Sequence, residues 1–116
     1  MPNYLAVFTG SPQALAAWEQ LSEAERAQRQ AQGVAAWQQW AADHAAAIVD
    51  MGGPLSRTTL VDRNGPSEIR NNLAAFTVVR ADSRDAAARM FLGHPHFTLF
   101  PGEGVEVMEV LPIPGG

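Results

Sequence analysis

The chain has 116 residues, of which 47% are hydrophobic and 17% charged, the composition of one ordinary globular domain. The absence of cysteine excludes disulfides, thiolate metal sites and cysteine nucleophiles together, and a formal net charge of −4 gives no electrostatic footprint for a nucleic-acid backbone. The opening MPNYLAVFTG has neither the basic start nor the apolar run of a signal peptide, and no segment approaches a membrane span, so a cytoplasmic protein with no membrane contact is expected.

Tyr4 to Phe8 is short, apolar and β-prone and stops at Thr9-Gly10, which predicts a first strand. Ser11-Pro12 supplies an N-cap and a proline at the first helical position, opening a short helical turn to about Trp18. Ser22-Glu23-Ala24-Glu25 is a capping box, followed by a long alanine- and glutamine-rich helix from about Glu23 to Ala45. Ala47 to Met51, ending at Gly52-Gly53-Pro54, and Thr58 to Val61, ending at Asn64-Gly65-Pro66, predict two further strands. Leu73 to Val79 is the clearest strand, after which Asp82 or Ser83 caps a helix to about Leu92. A connector from His94 to Gly104 leads to a last strand, Val105 to Leu111, beyond which Pro112 and Pro114 stop pairing.

The resulting order, βαβββαβ, contains the split βαβ arrangement of the ferredoxin-like α+β fold, an antiparallel sheet with its helices on one face. A single domain over 1–112 with a flexible tail at 113–116 is expected. Side chains alternate along strands, and here both faces come out apolar: Tyr4, Ala6 and Phe8 against Leu5 and Val7, and Ala74, Phe76 and Val78 against Leu73, Ala75 and Val79. Two helices cover one face only. A second copy of the chain covering the other would give a two-fold homodimer; folding of the 94–104 connector over that face is the alternative.

At 100° per residue, Val34, Trp37, Ala41, Ala45 and Ile48 share one side of the long helix, with Trp40 and His44 beside Trp37. Trp37, Trp40 and His44 are therefore candidates for the wall of a ligand cleft, or for core packing of the helix. Gly33, one turn before Trp37, leaves a slot or permits close packing. His94-Pro95-His96 places two of the three histidines around a rigid proline directly after a helix. Imidazoles there suit proton transfer near neutral pH, whereas a metal needs three or four ligands and His-x-His is only two; the bland alternative is a helix stop with loop packing. Asp50 is a strand aspartate that either orients a histidine or bonds the amides of Gly52 and Gly53. Arg57 either receives an anionic ligand or pairs with Asp50 or Asp62.

Serine-nucleophile, dinucleotide and zinc-protease motifs are all missing: there is no G-x-S-x-G or H-E-x-x-H, and Gly102-Glu103-Gly104 leads into a strand. The aromatic strands of an RNA-recognition module are also lacking.

Taken in order, the Tyr4–Phe8 strand, Trp37-x-x-Trp40 leading to Ile48-Val49-Asp50-Met51-Gly52-Gly53-Pro54, Ala81-Asp82-Ser83-Arg84-Asp85-Ala86-Ala87, and His94-Pro95-His96 leading to Val105–Val110 resemble the YCII-related proteins, including the branch known for a DGPF motif. The resemblance covers nearly the whole chain and implies a dimeric α+β barrel. Family members often carry a histidine in the long helix and an Asp-Pro-Tyr after the second. Here Ala36 and His94-Pro95-His96 stand at those places, and Asp62-Arg63-Asn64-Gly65-Pro66 lies near the DGPF position.

The expected function is that of a small-molecule-binding homodimer, without metal or cofactor, performing acid–base chemistry of isomerase or lyase type. His94, His96 and Asp50 are its candidate catalytic residues, and Trp37, Trp40, His44 and Arg57 its candidate ligand contacts. A non-catalytic dimerisation or sensor module is the rival reading. Haem or oxygen chemistry, as in other dimeric α+β barrels, with His44, His94 or His96 as axial ligand, is the third.

Overall fold

The computed structural model describes residues 1–115; Gly116, the last residue of the expected tail, lies outside the described residues. Strand β1 (Asn3–Thr9) is followed by helices α1 (Pro12–Glu19) and α2 (Glu23–Asp43), strands β2 (Ile48–Pro54), β3 (Thr58–Asp62), β4 (Gly65–Ile69) and β5 (Leu73–Arg80), helices α3 (Arg84–Arg89) and α4 (Pro95–Thr98), and strand β6 (Gly104–Glu109). The main sheet has the order β2-β5-β1-β6 with antiparallel neighbours, the arrangement of a ferredoxin-like α+β fold. No helix among the described residues is long and apolar enough to cross a membrane.

The helix starts follow from their caps. The Ser11 hydroxyl accepts from the Ala14 amide at 3.0 Å, and the Ser22–Glu25 box closes in both directions, with the Glu25 amide on the Ser22 hydroxyl at 3.1 Å. Each satisfies an amide that the first helical turn leaves without a partner. Helix α2 buries Gly33 and Trp40, while Val34, expected on the covered side, is 51% exposed. The buried stripe is centred on Gly33, Trp37, Trp40 and His44, and Val34 lies about 100° round the wheel from Gly33.

Two elements depart from the expected order. Strand β4 is absent from it because Pro66-Ser67-Glu68 carries no β-prone pattern; it pairs only with β3, closing at Asp62 and Gly65, in a hairpin separate from the main sheet. Proline fits there because an edge strand needs no amide donor on its outer side. The connector contains α4, whose N-cap is the side chain of His94.

Tyr4, Ala6 and Phe8 are buried and join Trp40, Val79, Ala81, Ala87 and Phe91 in the core, while Leu5 and Val7 are only half-buried. Pairing brings Val7 opposite Phe76 and Leu5 opposite both Val78 and Met108, so the face away from the helices is largely apolar, with Glu106 beside Val7 on the β6 edge. The 94–104 connector does not cover it, since it packs on the helix side, where Phe8 lies 5.1 Å from both His94 and His96. The chain exposes 7979 Å², against about 6,000 Å² for a compact monomer of this mass. Its radius of gyration is 16.1 Å and its extents are 54 × 42 × 18 Å, flatter than the about 13 Å radius of a compact chain of this length.

Candidate functional site

His94 and His96 follow the end of α3 and are brought under α2 by α4. Pro95 starts that short helix, and His94, with extended geometry at ψ 141, caps it. His94 Nδ1 accepts from the His96 amide at 3.0 Å, which puts the ring proton on Nε2. That nitrogen is buried and has no hydrogen-bond partner among the described residues. Around the ring stand Trp37 at 4.5 Å, Trp40 at 4.8 Å, Phe8 at 5.1 Å and Phe91 at 5.8 Å, so aromatic faces are the acceptors on offer, and such contacts are weak. His94 is 1% exposed. Burial, with the imidazoles of His96 and His44 nearby, pushes its pKa down to about 4, and it is neutral throughout the physiological range.

His96 is built differently. Its Nε2 lies 2.8 Å from the carbonyl oxygen of Thr9, at the end of β1. A carbonyl can only accept, so Nε2 carries the proton and Nδ1 keeps its lone pair. No hydrogen bond engages Nδ1 among the described residues. Burial lowers the His96 pKa, and the Thr9 carbonyl partly offsets this. The same carbonyl accepts the Glu103 amide at 2.8 Å, which ties the end of the connector to the strand that fixes the histidine.

His96 borders an apolar cleft of about 490 Å³ with Trp37 of α2, Met51–Pro54 of β2, Ala74–Thr77 of β5, and Phe100. Volume and lining suit a small organic ligand. β2 is irregular here, with register shifts on either side of Asp50. Gly52, at φ +67, holds it there: a β-carbon would strike the Phe76 carbonyl. A larger concavity of about 570 Å³, polar and open, lies at the base of the β3–β4 hairpin, away from the histidines.

The expected site residues thus divide. Trp37 and His96 meet at the cleft. Trp40 is a core residue, 7% exposed, whose indole N–H donates to the Met90 carbonyl at 2.7 Å. His44 caps α2, stacks at 4.9 Å on Trp40 and directs Nδ1 to the Trp40 carbonyl at 2.9 Å. His94, a candidate catalytic residue, is sealed in the core and does not line the cleft. Asp50 is exposed and accepts the Gly52 amide at 2.9 Å, an Asx-type turn that shapes β2 and leaves the carboxylate outside the cleft lining. Arg57 lines the hairpin concavity and not the cleft.

Phe100 and Gly102 are the residues that sequence reasoning missed. A β-carbon at Gly33 would come within 2.5 Å of the Phe100 ring, so the slot beside Trp37 is filled by Phe100. A β-carbon at Gly102 would collide with the His96 carbonyl oxygen and with the Nε2 edge of its imidazole. Pro101-Gly102 was the available signal, a rigid residue and a small one directly after an aromatic. Among the described residues no group of three or more His, Asp or Glu side chains is placed to hold a metal ion.

No protein-family model and no curated protein matches the chain. Among solved structures it is similar to 5-chloro-2-hydroxyhydroquinone dehydrochlorinase from Burkholderia phenoliruptrix AC1100, in a complex with 2,5-dihydroxybenzoquinone, at a TM-score of 0.53 and 18% identity over 91% of this chain and 90% of that one. A likeness at that identity establishes the shared fold.

Proposed function

We propose that this chain is one subunit of a YCII-like homodimer that binds a small hydroxylated aromatic ring in the apolar cleft and moves a proton with His96, without a cofactor. The observation that carries the reading is the fixed tautomer of His96: Nε2–H is committed to Thr9 at 2.8 Å, so the free lone pair of Nδ1 belongs to a residue that lines the cleft. A neutral imidazole in that state accepts a proton from a ring hydroxyl. The electron pair left on oxygen raises the electron density of the ring. Return of that proton from the imidazolium to a ring carbon completes a tautomerisation, and where that carbon bears a leaving group, its departure as an anion with loss of the proton of a second ring hydroxyl to solvent completes an elimination of lyase type that leaves a quinone. Trp37 and Phe100 offer faces for stacking. The name of the fold neighbour supplies the probe class, hydroxylated benzenes.

Calorimetric titration with hydroquinone and 1,2,4-trihydroxybenzene under anaerobic conditions tests this. Saturable binding is expected, weakened at least tenfold in His96→Ala, the loss of about 1.4 kcal/mol. Turnover is expected to hold through the ordinary imidazole range and to decline only at lower pH, because burial lowers the His96 pKa and protonation there removes the acceptor. Absence of binding by either ring, or equal binding by His96→Ala, would return the chain to the rival class of dimerisation module. The burial of His94 already favours a structural role for that half of the pair.

The dimer rests on surface area. The excess over a compact monomer, 7979 Å² against about 6,000 Å², is of the size that an obligate interface removes. The open face carries Leu5, Val7, Phe76, Val78 and Met108, and the projecting hairpin leaves Val61 73% exposed. Light scattering is expected to give twice the chain mass. In Leu5→Lys/Val7→Lys, with two charges placed in that interface, it is expected to give a monomer or an insoluble chain; an unchanged dimer would move the interface elsewhere.

A further inference from the structure

Resting on the reading of the cleft as a ligand site, we infer that Phe100 is the specificity-determining wall that keeps a second ring of the ligand from extending towards α1. Beyond the cleft, on the far side of Phe100, lies a second concavity of about 320 Å³, bordered by Trp18, Leu21, Arg29, Phe97 and Gly102. Among the described residues Phe100 is the one residue that lines both. Its ring is the partition, and three contacts hold it. The Phe100 amide donates to the Pro95 carbonyl at 2.9 Å at the end of α4. The ring meets Trp37 edge-on at 6.0 Å. Its outer atoms, Cε2 and Cζ, press against the bare α-carbon of Gly33.

The partition is therefore seated by backbone on one side and by a missing side chain on the other. The volume of about 490 Å³ does not by itself set the limit; the direction does, because a second ring attached on the Phe100 side would have to occupy the volume of the phenyl group. Truncating Phe100 joins the two spaces into one elongated groove lined by Trp37 and Trp18. Gly33→Ala acts on the same wall from behind, since the new methyl group pushes the ring off its seat.

The test compares hydroquinone with phenylhydroquinone, the same hydroxylated ring carrying a second one, by calorimetric titration of the intact dimer. The wild-type chain is expected to bind phenylhydroquinone at least tenfold more weakly than hydroquinone. In Phe100→Ala that ratio is expected to fall to unity or invert, and in Gly33→Ala the affinity for hydroquinone itself is expected to change. Phe100→Leu carries the comparison with a smaller change if the alanine variant does not fold. Equal binding of both rings by the wild type, or a ratio unchanged in a folded Phe100 variant while hydroquinone still binds, overturns the wall and leaves the cleft standing. Failure of both rings to bind any of these proteins takes down the cleft reading and the wall with it.

Discussion

Replacement of His94 by alanine is expected to destabilise the fold by about 2–4 kcal/mol, the range for truncating a large buried side chain. At roughly 4–6 °C per kcal/mol for a chain of this size, Tm drops by about 10–20 °C. The ring is 1% exposed and touches four other aromatic rings, and its Nδ1 caps α4 by accepting the His96 amide. A void and a lost cap therefore arrive together. The same residue makes the protein acid-labile. In the folded chain its pKa is about 4, against the ordinary imidazole value of 6.5, so the unfolded chain binds more protons between those values. Stability is then complete above about pH 6.5 and is lost as pH falls towards 4. The loss is on the order of 3 kcal/mol, and the lowered pKa of His96 adds to it in the same direction. His94→Leu restores much of the packing and cannot titrate, so its Tm is expected to vary less between pH 7 and pH 4.5 than that of the wild type. Thermal melts across that range decide the matter. A Tm for His94→Ala within 3 °C of the wild type would show that the ring is not a core element.

The two halves of His94-Pro95-His96 look equivalent in the sequence, yet they separate into a sealed core residue and a cleft residue. The local pattern shows why they are ordered: Pro95 fixes the first turn of α4, and His94 is displaced from helical geometry. Which ring faces the core depends on the Thr9 carbonyl, 87 residues upstream of His96, and on Phe8, and no local spacing encodes either. The strands of the main sheet were legible because they are short, β-prone apolar runs bounded by turn residues, and α2 because Ser22 and Glu25 announce it. β4 was not, because a polar edge strand with Pro66 is defined by its partner rather than by its own composition. Asp50 reads as a candidate carboxylate only until the positive φ of Gly52 is known, after which its bond to the Gly52 amide accounts for it. Gly33 was legible as a gap, but the residue that fills it, Phe100, lies 67 positions away in the sequence.

Gly102→Ala is expected to impair the chemistry of the cleft although Gly102 itself does not line it. The new methyl group has no free space: it meets the His96 carbonyl, which is backbone, and the Nε2 and Cδ2 atoms of the imidazole. The amide of Gly102 also donates to that carbonyl at 3.0 Å, so the 96–102 turn has little room to move away. Overpacking of this kind costs about 1–3 kcal/mol, and the softest response is rotation of the imidazole away from Thr9. That breaks the bond which holds the proton on Nε2 and releases Nδ1 from its fixed tautomer. Ligand affinity and turnover are expected to fall by as much as in His96→Ala, at least tenfold, with Tm lower by about 5–15 °C. The double variant His96→Ala/Gly102→Ala separates this from simple misfolding. Removing the imidazole relieves the collision with its Nε2 and Cδ2 atoms and leaves the one with the His96 carbonyl, so the double variant is expected to melt at or above Gly102→Ala, a non-additivity that neighbours in direct contact display. If the two changes add independently in Tm, or if Gly102→Ala binds hydroquinone like the wild type, then Gly102 does not position His96, and the orientation of the imidazole comes from Thr9 alone.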